Sequence, residues 1–312
     1  MPSDASDVPL STNGCLYILS AWLASRYLFQ SDSASEIELP DFTSLINATL
    51  ESPSAPGFGT ESPAILDSLF FLGLYTLHTD PSISPSSDQE FNDALQRLSL
   101  LSAQLPSPSQ RYQAHQLAST LLHLHPSNEV KLSYIKDTLE HCPYENLKAS
   151  AVGWVKDEIL SANMPSDEPG GDGQGGIFAS PALLDTIGEW LWGDRVGVPM
   201  YSPHEPREQR LSEFSTLQSM QTFYLGVLNL LFLLLSNETL YKNLGMADLL
   251  NDIKSDFIES LLETATGFEK AFQSGGVSGG EESNMGGEFS DLSLLVMNCQ
   301  QILDKIVEKE KG

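Results

Sequence analysis

Residues 126–160, PSNEVKLSYIKDTLEHCPYENLKASAVGWVKDEIL, read as two amphipathic helices joined by one Pro-containing turn. In the first, Leu132, Ile135, Leu139 and Cys142 recur at spacings of three, four and three, with Lys131 just before them and Lys136, Asp137 and Glu140 between them; that is one apolar stripe on a 3.6-residue period. Pro143 stops this helix, because it has no N–H to donate and restricts the residue before it. The second helix places Leu147, Ala151, Val155 and Ile159 four apart, and Val152 and Trp154 widen its apolar face. Neither helix can bury its stripe alone, so the pair must stack on neighbours, as a unit of a helical-repeat array does.

The same pattern extends in both directions. Gly, Pro and Ser clusters interrupt the chain at 51–63, 79–88, 163–176, 193–206 and 274–288, and such clusters mark loops. Between them the apolar spacing predicts helices over 9–30, 40–50, 62–78, 88–104, 108–124, 128–142, 144–162, 180–192, 207–240, 244–273 and 289–309, with no convincing strand. In the last of these, Leu292, Leu295, Cys299, Ile302 and Ile306 step by three, four, three and four, and Lys305, Lys309 and Lys311 complement the helix dipole. It reads as a terminal cap packed on the previous helix. Helix pairs of about 35 to 45 residues match the period of HEAT and armadillo repeats. The expected fold is all-α: an irregular α-solenoid of HEAT/armadillo-like pairs in a single domain over 1–312, with flexible insertions near 51–63, 163–176 and 274–288. A helical bundle is the alternative.

Charge narrows the functions. Against 42 acidic residues stand 16 basic ones, for a formal net charge of −26 spread along the chain. Such a surface repels nucleic acid and anionic lipid, which bind through phosphates neutralised by Lys and Arg, so neither DNA nor membrane is an expected partner. Cys15, Cys142 and Cys299 lie far apart with no CxxC, which suggests neither a disulfide framework nor a thiolate metal site. The apolar segment 8–28 follows Asp4 and Asp7 with no basic residue before it, unlike a signal peptide, and reads as a core helix. The run FYLGVLNLLFLLL at 223–235 has 13 residues against the roughly 20 that span a bilayer; it fits a central helix buried on every side.

No motif carries chemistry. GDGQGG at 171–176 matches GxGxxG, but a dinucleotide site needs that turn between a strand and a helix, whereas here a helix and an acidic, Pro-containing stretch precede it. GVSGG at 276–280 matches GxSxG without the strand that a nucleophile elbow requires. His115, His123, His125, His141 and Cys142 gather in one region, yet His123 and His125 stand two apart on a helix and point away from each other. The carboxylates are too scattered to single out a catalytic pair. The chain is therefore expected to be no enzyme and to hold no cofactor or metal.

What remains is surface for another protein. The segment WLWGDRVGVPMYSPHEP, from Trp190 on, sets Trp192, Met200 and Tyr201 beside Arg195 and Arg207 in an otherwise acidic chain. Aromatic, Met and Arg side chains on a non-helical segment are what interface hot spots are made of; the competing reading is that the aromatics only anchor the loop. Ser-Pro dipeptides stand at Ser52, Ser62, Ser84, Ser107, Ser180 and Ser202. At Ser62, Ser107 and Ser180 a capping Ser before Pro at the helix start explains them. At Ser52, Ser84 and Ser202 proline-directed phosphorylation is an equal alternative.

The run from His125, HPSNEVKLSYIKDTLEHCPYENLKASAVGWVKDEIL, resembles the best-preserved block of the glomulin family, and EHCPYENLKASAVGWVKDEI at 140–159 carries the sharpest likeness. The fungal branch is the nearer match. The resemblance implies a non-enzymatic α-solenoid adaptor. Fungal members bind an oxidant-responsive bZIP transcription factor and assist its peroxide-dependent activation. In the animal branch, glomulin binds the RING subunit of cullin ubiquitin ligases and blocks recruitment of the ubiquitin-conjugating enzyme. Members are usually longer, so this chain looks like a C-terminal half. The expected location is the cytoplasm, with the nucleus as a second candidate. No family contact residue maps onto a position here. A redox role for Cys142 is disfavoured, because its apolar helical face predicts a buried, weakly reactive thiol.

Overall fold

The computed structural model describes residues 11–29, 39, 41–79, 87–163, 176–273 and 285–311, and within them the chain is all-α, built from thirteen α-helices with no strand. In the first compact unit, residues 1–131, lie α1 (Thr12–Phe29), α2 (Phe42–Thr49), α3 (Pro63–Thr79), α4 (Asp88–Gln104), α5 (Pro108–Leu124) and the start of α6 (Asn128–His141). Neighbours pack as α1 on α3, α2 on α4, α3 on α5 and α4 on α5, the consecutive-pair packing of a solenoid-like fold. Short turns enforce it. Ser87 and Ser107 cap α4 and α5 by accepting the N–H groups of Glu90 and Gln110, and Pro108 follows at the first helical position. Asp41 accepts the N–H groups of Thr43 and Ser44 and so starts the eight-residue α2. Residues 51–62 form successive hydrogen-bonded turns, with Ala55, Phe58 and Thr60 donating to the carbonyls of Ser52, Ala55 and Gly57.

The second unit, residues 132–312, contains the rest of α6, then α7 (Glu145–Ala162), a 3-10 turn (Ile177–Ala179), α8 (Ala182–Leu191), α9 (Arg207–Ser236), α10 (Glu238–Asn243), α11 (Met246–Asp252), a π-helical stretch (Ile253–Glu259), α12 (Ser260–Gln273) and α13 (Met285–Lys311). The stripe that decides the fold is buried as its spacing predicts: Leu132, Ile135 and Leu139 on α6, and Leu147, Ala151, Val152, Trp154, Val155 and Ile159 on α7. Cys142 is only half-buried, because it stands just beyond the end of α6. On α13 all five stripe residues, Leu292, Leu295, Cys299, Ile302 and Ile306, are buried, and this helix packs on α12 and α9.

The apolar run of α9 is the centre of this unit. Phe223, Tyr224, Val227, Leu228, Leu230, Leu231, Leu234 and Leu235 are buried, with α7 and α13 against the helix. By length and composition α9 could cross a membrane; here its apolar surface is used in packing. Two elements differ from the sequence reading. The expected helix 207–240 breaks at Asn237, whose side chain accepts the N–H groups of Thr239 and Leu240 and restarts the chain as α10. The expected helix 244–273 contains the π-helical stretch, an irregularity with no signature in apolar spacing. A third correction concerns α1. It was expected to be a core helix, but only Leu16, Ser20 and Leu23 are buried, and Tyr17, Ile18, Tyr27, Leu28 and Phe29 are exposed, since among the described helices its main packing partner is α3.

Candidate partner-binding site

The loop between α8 and α9 holds four of the residues singled out in the sequence, Trp192, Arg195, Met200 and Tyr201, while Arg207 opens α9; the path of the loop is fixed from both ends. At the end of α8 the N–H groups of Trp192 and Gly193 both donate to the Gly188 carbonyl, at 3.0 and 3.3 Å. Trp192 folds back over Gly188, where a Cβ would lie 3.4 Å from its indole nitrogen, and is buried. Gly193 accepts from the Val196 N–H at 3.0 Å, and the chain turns at Gly197, whose φ of +65° is a left-handed conformation that glycine adopts without a Cβ clash.

Two contacts then tie the loop to α12. The Thr264 hydroxyl, buried, donates to the Pro199 carbonyl at 2.6 Å. Tyr201 sets its ring edge-on to Phe268, with centroids 5.0 Å apart, directly over Gly267; a Cβ at 267 would sit 2.3 Å from the Tyr201 ring. Phe214 and Phe272 extend this aromatic cluster. Between the two ties Met200 points outward and is 74% exposed.

Against the opposite wall runs the helix from α11 through the π-helical stretch into α12. With the loop it forms a half-open pocket of about 360 Å³, lined on the loop side by Gly193, Asp194, Val198, Pro199, Met200 and Tyr201 and on the helix side by Asp256, Ser260, Glu263 and Thr264. Asp194, Asp256 and Glu263 are exposed carboxylates. Asp256 accepts a hydrogen bond from the Ser255 hydroxyl at 2.6 Å. Among the described residues no basic side chain lines the cavity.

The five residues of interest therefore separate. Trp192 and Tyr201 face the protein and position the loop; Arg195, Met200 and Arg207 are exposed. Arg195 donates from Nε to Glu189 at 2.8 Å, and that carboxylate raises the pKa of the guanidinium above its ordinary value. Met200 and Tyr201 border the cavity, whereas Trp192, Arg195 and Arg207 do not. Sequence reasoning missed the carboxylates, since Asp194 meets Asp256 and Glu263 only through the tertiary fold.

Other candidates are dispersed. His125 is buried, lies tilted against the Phe91 ring with centroids 4.3 Å apart and accepts the Ser127 N–H at Nδ1; His141 lies beside Asp137 at 3.2 Å on the surface. Among the described residues no three His, Cys, Asp or Glu side chains are placed to hold a metal ion. Ser107 serves as a helix cap, whereas Ser180 does not, since Pro181 holds the N-cap position of α8 and the Ser180 hydroxyl donates back to the Ile177 carbonyl at 3.1 Å; Ser52 is exposed in a loop and Ser202 is half-buried. Ser84, GVSGG at 276–280 and all but the last Gly of GDGQGG lie outside the described residues, as do most of the expected insertions at 163–176 and 274–288.

The sequence was compared with known proteins. The family described as YAP/Alf4/glomulin matches over residues 2–297. Neither a curated protein nor a solved structure matches the chain.

Proposed function

Since the chain belongs to the YAP/Alf4/glomulin family, we propose that it is a non-catalytic adaptor that binds a protein partner, and that this partner is an oxidant-responsive bZIP transcription factor whose peroxide-dependent activation it assists. The family match over nearly the whole chain carries the adaptor reading. The finer identity of the partner is supported by the sequence likeness at 140–159 to fungal members. It is also supported by charge, because a surface of net −26 complements the Lys- and Arg-rich basic region by which bZIP factors bind DNA. The site of action proposed is the cytoplasm and the nucleus.

One observation favours a second reading. Met200 and Arg195 are exposed on the loop between α8 and α9, and Arg207, also exposed, opens α9, an apolar and Arg-bearing combination suited to masking the RING subunit of a cullin ubiquitin ligase. The two readings differ in salt dependence. Exposed charges are screened at moderate ionic strength, whereas apolar contacts are not. Purified chain should bind an immobilised bZIP basic region at about 50 mM salt and lose most of that binding by about 300 mM. Binding to a RING subunit that persists at the higher salt, with none to the basic region, would move the assignment to ubiquitin-ligase regulation.

A further inference from the structure

We propose that the cavity between the 193–201 loop and the helix carrying Asp256 and Glu263 is the docking pocket for an arginine or lysine side chain of a basic segment in the partner protein. This deepens, and rests on, the adaptor reading. A cavity of about 360 Å³ lies at the small end of the range of specific binding pockets, too small for a folded element and large enough for one long side chain with its backbone.

The chemistry of its wall selects the cation. Asp194, Asp256 and Glu263 bring three negative charges to one cavity that, among the described residues, no basic side chain lines. Among the described residues neither Asp194 nor Glu263 forms an ion pair or hydrogen bond with another side chain. An incoming positive charge therefore meets three exposed carboxylates on the walls of one pocket. Long cationic side chains also carry an apolar stem, and the cavity supplies Val198, Pro199 and Tyr201 to receive one, with the exposed Met200 beside them as an adaptable contact. A bare divalent ion is the poorer fit, since among the described residues no three carboxylates converge on one point.

The pocket is also preformed. The Thr264 bond to the Pro199 carbonyl and the edge-on contact of Tyr201 with Phe268 hold one wall. The other is a helix whose π-helical stretch places Asp256, and such irregular turns recur at functional sites. Little ordering is then needed on binding.

The test uses the full chain and a fluorescein-labelled peptide of twelve residues in which four arginines alternate with Gly and Ala, followed by fluorescence anisotropy at about 50 mM salt. The triple variant Asp194→Asn, Asp256→Asn, Glu263→Gln is compared with a charge-matched control, Asp157→Asn, Glu208→Gln, Asp304→Asn, whose residues are exposed elsewhere. All six substitutions are on the surface, and retention of helical circular dichroism verifies the fold. The pocket variant should weaken the peptide at least ~10-fold, and the control less than ~3-fold; one lost charge contact of the strong kind accounts for a decade. Equal weakening in both variants, or no binding by the native chain, overturns the proposal. So does preference for spermine over the peptide, which would make the pocket a polyamine site. Capture of the partner from cells by both variants would remove the pocket while leaving the adaptor reading standing.

Discussion

At the scale of single residues, the three cysteines and two of the glycines give direct tests. Burial pushes the Cys299 thiol up to about 12, and burial likewise raises that of Cys142, whose Sγ lies 3.9 Å from the Tyr144 carbonyl. Only the thiolate reacts, so iodoacetamide at neutral pH should label the exposed Cys15 first, Cys142 slowly and Cys299 only on unfolding. Rapid labelling of Cys142 followed by mass spectrometry would revive a direct redox role for it. Gly73 and Gly153 are both helical glycines with opposite expected outcomes. A Cβ at 73 would lie 2.2 Å from the Phe42 ring and 2.9 Å from Leu117, and overpacking of that kind costs about 1 to 3 kcal/mol. At 153 nothing stands within 4 Å, so Gly153→Ala should add about 0.5 to 1 kcal/mol by helix propensity alone. Urea unfolding of both variants checks the pair. Much at this scale was legible in the sequence: every stripe residue of α13 is buried as its spacing required, because in a helix spacing alone selects the face. Trp192 was not legible in the same way, since a tryptophan beside a glycine turn serves equally as an anchor or as a contact, and only the fold over Gly188 decides.

At the scale of elements, boundaries followed from caps and breakers where local chemistry was strong, as at Ser107–Pro108 and Pro143. They were missed where the cause was tertiary or subtle. Asn237 caps α10 within a run whose apolar spacing continues across it, and the π-helical stretch carries its apolar residues in nearly helical register. The exposed face of α1 was also missed, because apolar content does not say whether a neighbour exists to cover it. The tie between α10 and α13 has a pH signature. Glu238 accepts from Lys309 at 2.7 Å, and Lys309 also lies over the Tyr241 ring at 4.5 Å. The hydrogen bonds from Lys309 and from Lys242 hold the Glu238 pKa below its ordinary value of 4.5. A carboxylate with a lowered folded-state pKa contributes stability that is present above its unfolded value and lost as pH falls through the folded one. The melting temperature of Glu238→Gln should therefore fall below that of the native chain at neutral pH and low salt, and the gap should close on acidification below 4.5. The gap is expected to be small, because the pair is exposed and salt screens it. A gap independent of pH would mean that the substitution acts through packing.

At the scale of the whole molecule, fold class and functional class were legible for different reasons. The all-α architecture follows from helical period repeated between loop clusters, a signal that needs no tertiary information. A net charge of −26 spread along the chain argued against nucleic acid and anionic lipid as partners before any site was visible. The site itself was half legible: the loop was marked by its composition, while the acidic wall opposite comes from residues about sixty positions later, brought across by the helix from Met246 to Gln273. Charge and site together make the central claim that this chain is an adaptor for a basic protein segment. The most direct test is affinity purification of the tagged chain from the cells that make it, with and without peroxide, with mass spectrometry of what is retained, alongside the Asp194, Asp256, Glu263 triple variant. The predicted result is a bZIP factor recovered in greater amount after peroxide and lost from the triple variant. Recovery of the chain alone under both conditions would contradict it.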